Sequence, residues 1–141
     1  MPPPEHLERF MTAQAHSYET AKSELRNGQK KSHWMWYIFP QISGLGISST
    51  TQTYAIADAA EANAYLAHPI LGARLIELSK ILLELTGLSA NDIFGSTDAM
   101  KLRSSMTLFA KVSDQPVFKQ VLEKYYNGNK DPNTLERLSE L

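Results

Sequence analysis

Cysteine is missing from all 141 residues, which removes disulfides, thiolate metal ligands and a thiol nucleophile together. A reducing cytoplasm is the expected setting. An excess of either charge is missing too. Fourteen Lys and Arg face 15 Asp and Glu, a formal charge of −1, so no global field gathers nucleic-acid phosphates or anionic lipid. No apolar run approaches the roughly 18 residues of a spanning helix. The opening Met1-Pro2-Pro3-Pro4-Glu5-His6 has neither the basic nor the apolar part of an export leader. Neither membrane insertion nor export by that route is expected. Sustained period-two alternation is also absent, which argues against a sheet.

What is present is ordinary globular material, 43% hydrophobic and 21% charged, far from the balance of a disordered chain. At this length folding buries roughly 68–70% of the surface the unfolded chain exposes, enough for one continuous core. The expectation is a single domain over residues 1–141 with a flexible tail over 1–5. Leu7, Phe10, Met11, Ala15, Tyr18, Ala21 and Leu25 fall in steps of three and four, the pattern of one long amphipathic helix to about residue 27. Ser32 can cap a short helix over 33–39 that Pro40 ends, although the same apolar run also fits a buried strand. Residues 42–53 are small, hydroxylated and glycine-bearing, the composition of a long loop. Asp58 and Glu61 have capping-box spacing for a helix to about Ala67. Pro69 opens a leucine-striped helix that stops at Gly87. Ser89 with Asp92 predicts a capped turn ended by Gly95, and helices follow over 98–112, from Pro116 to Asn127, and from Pro132 onward. The sum is an all-α domain of about six to eight helices with one long Gly/Ser/Thr loop.

The four histidines form no H-E-x-x-H pattern and no pair lies three or four residues apart, so neither a zinc site nor another metal or cofactor is expected. Phosphate-loop and nucleophile-elbow motifs are absent, and Gly44-Leu45-Gly46 places Ser49 where a dinucleotide fingerprint needs its third glycine. Two clusters survive these exclusions. One is the aromatic stretch His33-Trp34-Met35-Trp36-Tyr37-Ile38-Phe39-Pro40-Gln41, which holds both tryptophans. Trp34 and Trp36 lie about 200° apart on a helix; either both fill the core, or one does while the other walls a pocket. The second cluster runs from Asp98 through Lys101, Arg103, Ser104 and Ser105, with Lys101 one turn from both Asp98 and Ser105. It reads as a ligand site or as a surface ion pair with helix-tolerant serines. Arg74, on an otherwise apolar helix, either reaches an anionic group or snorkels.

Taken in order, Gly28-x-Lys30-x-Ser32-His33-Trp34-Met35-Trp36-Tyr37-Ile38-Phe39-Pro40-Gln41, Gly44-Leu45-Gly46, Glu61-Ala62-x-x-Tyr65-Leu66-x-His68-Pro69-x-Leu71-Gly72-x-Arg74-Leu75, Ile93-Phe94-Gly95 and Lys101-Leu102-Arg103-Ser104-Ser105-Met106-Thr107-Leu108-Phe109 closely resemble the bacterial domain-of-unknown-function family 1810. The resemblance spans essentially the whole chain and implies a small, mainly helical cytoplasmic protein. Members sometimes carry the label calpastatin. That inhibitor is a disordered chain that folds on its protease, whereas this sequence has a core, so the inhibitor function is not carried over. In arrangement the chain is also similar to helical proteins of the NADAR type, associated with ADP-ribose and N-glycosidic cleavage. That similarity implies a pocket for a nucleotide- or ADP-ribose-like small molecule and an N-glycosidase-like hydrolase. In this expectation Trp34 and Trp36 stack a ring, with His33 and Gln41 on the polar rim. Lys30, Arg74 and Lys101 meet phosphate or carboxylate, Asp98 or Glu61 is the acid/base, and Ser104 or Ser105 fixes orientation. The alternative is a non-catalytic adaptor that offers the same aromatic surface to a protein partner.

Overall fold

The structure is a computed structural model and describes residues 4–140, with side chains over 7–139. Nine helices lie in that range: α1 Pro4–Ala15, α2 Tyr18–Arg26, α3 Met35–Ile38, α4 Ser49–Thr53, α5 Ala59–Ala67, α6 Leu71–Glu84, α7 Ala90–Val112, α8 Pro116–Tyr126 and α9 Pro132–Glu140. The all-α reading holds, and no strand occurs among the described residues beyond an isolated Ile42–Ile56 bridge. Of the expected tail, residues 1–3 lie outside the described residues, while Pro4 already belongs to α1.

The boundaries depart from the sequence pattern where side chains intervene. The long first helix is two helices, because the Ser17 amide turns back to the Gln14 carbonyl at 3.1 Å and α2 restarts on the Ser17 carbonyl. Beside the break, the buried Gln14 amide donates to the Tyr37 carbonyl at 2.7 Å and the Tyr65 hydroxyl at 3.0 Å. Ser32 does not cap the aromatic helix; its hydroxyl donates to Glu24, and α3 shrinks to Met35–Ile38. The expected loop over 42–53 contains α4, because Ser48 accepts the Thr51 amide and serves as its N-cap. Pro69 is not the first residue of α6. His68 Nδ1 accepts the amides of Ile70 and Leu71 and so caps the start instead.

The core is arranged around α7. Ser89 and Asp92 form the reciprocal capping box at its start, and Gly95 breaks it with φ 79° and ψ 163°. Beyond the break every residue from Ser104 to Ala110 is buried, as in a helix enclosed on all sides. Helices α5, α8 and α9 pack on α7, while α6 packs on α2, α5 and α8. Trp34, Phe39 and Phe94 form one cluster of tilted and edge-on rings, and Tyr65, Phe109 and Phe118 form another. The aromatic segment 34–39 is thus built into the core at the kinked end of α7.

Candidate functional site

The site begins at Glu24, near the end of α2. Its carboxylate accepts the amides of Lys31 and Ser32 at 2.7 and 2.9 Å, the Ser32 hydroxyl at 2.5 Å and the Trp34 indole N–H at 2.9 Å. Burial pushes the Glu24 carboxyl up, but these hydrogen bonds outweigh it and hold it at about 2, below its usual 4.5. The turn between α2 and α3 is fixed by this one side chain, and Lys30 is fixed with it. The Lys30 amide also bonds the Ile93 carbonyl at 2.7 Å, just before the Gly95 kink.

From there two lysines, two tryptophans and one aspartate interlock. The Lys30 ammonium lies 5.1 Å from the Trp34 ring centre, donates to the Ser32 carbonyl at 2.6 Å and pairs with Asp98 at 2.9 Å. Its side chain is only 8% exposed. Asp98 reaches Lys101 at 3.4 Å on its other oxygen, and the Lys101 ammonium stands 5.1 Å from the Trp36 ring centre. The Lys101 side chain is 24% exposed and has a looser grip on its carboxylate. Lys101 is the more exposed and more loosely held of the two ammonium groups.

Lys101 is also a wall of a concavity of about 260 Å³. Gln41, Leu45 and Thr51 supply one side, Thr97, Met100 and Ser104 of α7 the floor, and Asp131 with Asn133 at the start of α9 the far side. The far side is held to α7 by side chains. Arg103 donates to the carbonyls of Asn129 and Lys130 at 2.9 and 2.7 Å, Ser104 donates to Asp131 at 3.1 Å, and Thr107 accepts the Asp131 amide at 2.9 Å. Trp36 lines a small adjoining hollow of about 10 Å³ that shares Gln41 and Thr51 with the main one, room for about one water. Two wider and more open depressions, of about 450 and 540 Å³, lie on the outer side of α6 and beside the start of α8. No tryptophan walls either of them.

Of the residues singled out from sequence, Lys30, Trp34, Trp36, Gln41, Asp98, Lys101 and Ser104 come together here. The tryptophans divide the work: Trp34 is buried, and Trp36 is half-buried beside the hollow. Ser105 lies on α7 one turn past Lys101, wholly buried, its hydroxyl without a hydrogen-bond partner. His33 is exposed, and its carbonyl accepts from the Tyr37 hydroxyl at 3.3 Å. Glu61 stands elsewhere, buried at the start of α5, where it accepts the Ala57 amide at 2.9 Å and pairs with Arg9 at 3.1 Å. Arg74 also stands elsewhere, with its guanidinium 4.6 Å from the Tyr18 ring centre and bonded to Gln14 at 3.3 Å. Sequence reasoning missed Glu24, Thr97, Asp131 and Asn133. Only Asp131 carried a signal, as the residue before the proline that opens α9. No group of three or more His, Asp or Glu able to hold a metal ion occurs among the described residues, and no described helix is long and apolar enough to cross a membrane.

Fold and site together define a compact all-α domain with a hollow at the kinked end of its central helix. The chain belongs to the family described as "Protein of unknown function (DUF1810)", whose profile matches residues 4–138. It is similar to the crystal structure of the conserved hypothetical protein Rv1873 from Mycobacterium tuberculosis, at 45% identity and a TM-score of 0.95, covering 97% of this chain and 99% of that one. No protein of curated function matches it.

Proposed function

We propose that the concavity bounded by Gln41, Lys101 and Asn133 binds a small nucleotide-derived molecule through one anionic group. The observation that carries this reading is Lys101, which joins the tryptophan-lysine-aspartate assembly to the wall of the hollow and places a part-exposed, loosely paired ammonium there. Ligand sites are concave, mainly apolar and marked by a few convergent polar groups. Here Leu45 and Met100 provide apolar wall, and Gln41, Thr97 and Asn133 provide polar atoms for a ring edge or sugar. Size narrows the ligand. About 260 Å³ falls just below the ~300–1,000 Å³ of pockets for drug-sized molecules, so a mononucleotide or sugar phosphate fits better than a whole ADP-ribose. Asp98 does not line the concavity and Glu61 is held at α5 by Ala57 and Arg9, so the geometry supports binding there rather than N-glycosidic hydrolysis by either carboxylate.

Calorimetric titration with adenosine monophosphate, adenosine and ribose 5-phosphate tests the binding. The monophosphate binds the wild-type protein, adenosine binds at least tenfold more weakly, and Lys101→Met abolishes the difference. Equal affinity for adenosine and its monophosphate, or no binding of any of the three, would sink the reading. Ile47 and Met100, 93% and 72% exposed beside the mouth, favour a second reading, an apolar docking lip for a protein partner. In that case Ile47→Ser abolishes a pull-down partner and leaves nucleotide titrations silent.

A further inference from the structure

We propose that Asp98 is the internal counter-anion of this pocket: it parks Lys101 against Trp36 and competes with the ligand's phosphate for that ammonium, so it sets anion affinity. The inference rests on the binding reading above and assigns the regulation of the same site. It begins with the asymmetry of the two pairs. Lys30 is nearly buried and engaged on all sides, by Asp98 at 2.9 Å, the Ser32 carbonyl at 2.6 Å and the Trp34 ring. It has no freedom to serve a ligand. Lys101 holds Asp98 only at 3.4 Å, is more exposed, and borders the concavity, which Asp98 does not line. A lysine has a flexible four-carbon stem and three rotatable donors, so Lys101 can turn from Trp36 toward a phosphate without backbone movement.

Asp98 stays in place when Lys101 leaves. It keeps Lys30, and it sits three residues past the Gly95 break, in the first turn of the restarted helix, where the helix dipole favours a carboxylate. The other charges at the hollow are already engaged. Arg103 is spent on two carbonyls, and Asp131 accepts from Ser104 and Thr134. Lys101 is therefore the ammonium that can change partner, and Asp98 is what it must be drawn from.

The test follows both indole N–H signals by heteronuclear NMR while adenosine monophosphate is titrated into the wild-type protein and Asp98→Asn. In the wild type the Trp36 signal moves with ligand, and the Trp34 signal, bonded to Glu24, does not. Part-exposed ion pairs are worth about 0.2–1 kcal/mol, so removing the competitor lowers Kd roughly 1.4- to fivefold. Tighter binding by Asp98→Asn, or binding seen in that variant alone, supports the proposal. Binding by the wild type with an unmoved Trp36 signal overturns it without recourse to any variant. So does equal or weaker binding by an Asp98→Asn protein whose Trp34 signal shows the fold intact. If neither protein binds, the pocket reading itself falls and this one falls with it.

Discussion

Glu24 shows how much of the site hangs on a residue that does not line the concavity. Four donors converge on its carboxylate from Lys31, Ser32 and Trp34, and they fix the turn that carries Lys30. Its carboxyl is held at about 2 in the folded protein, against 4.5 without these partners. As pH falls the unfolded chain takes up this proton first, so the stabilisation, complete above about 4.5, drains away between there and 2. Urea midpoints measured from pH 6 to pH 2 therefore decline for the wild-type protein, and Glu24→Gln starts lower and declines less. Parallel curves for the two proteins would mean that Glu24 carries no such linkage. Residue types alone flagged Trp34, Trp36, Asp98 and Lys101, because rings and charges at helical spacing exceed what packing needs. They could not show that Lys30 and Asp98 meet across the sequence, nor that Glu24 holds the indole. Such pairings depend on where α2 ends relative to the α7 kink, which is tertiary information. The places of Glu61 and Arg74, apart from this hollow, were hidden for the same reason. A buried carboxylate and an arginine on an apolar helix look alike in sequence whether they serve a pocket or bind Ala57, Arg9 and Gln14.

Among the elements, α7 and the α5–α6 corner each depend on one glycine, for different reasons. Gly95 has φ 79° and ψ 163°, a region essentially closed to other residues, yet an added Cβ there would meet nothing within 4 Å. Gly95→Ala costs backbone strain alone, about 1–3 kcal/mol. Gly72 is the converse. Its backbone is ordinary, but a Cβ would lie 2.0 Å from the Leu66 carbonyl oxygen, a backbone atom that cannot swing aside. Gly72→Ala must therefore part α5 from α6, and chemical denaturation should show it losing more stability than Gly95→Ala. The reverse order would mean that the corner opens easily. The helix types were legible because apolar periodicity and proline and glycine punctuation record them directly. The boundaries were less so. The split at Ser17 follows an inward-turned Gln14, and the start of α6 follows a histidine ring acting as cap, which no helix-start rule based on Ser, Thr, Asp or Asn detects.

For the whole molecule, the Trp36 ring against Lys101 and the hydrophobic core share one short segment. Trp34 is 1% exposed and packs on Phe39 and Phe94, two residues before Trp36 at the hollow. The pocket therefore cannot loosen far without exposing core aromatics. Small domains with one such core unfold cooperatively, so tryptophan fluorescence and far-ultraviolet circular dichroism should report the same urea midpoint. An earlier fluorescence transition would show residues 30–41 opening as a separate unit. Coincident transitions have a functional consequence. Binding at the hollow then stabilises all the helices together, and adenosine monophosphate at 100 times its Kd adds about 2.7 kcal/mol. For a domain of this length that raises Tm by several degrees, and at the same ligand concentration Lys101→Met cuts the rise to about half or less while keeping the unliganded Tm close to wild type, because the Lys101–Asp98 pair is loose and part-exposed. An undiminished rise in Lys101→Met would place the ligand elsewhere on the molecule.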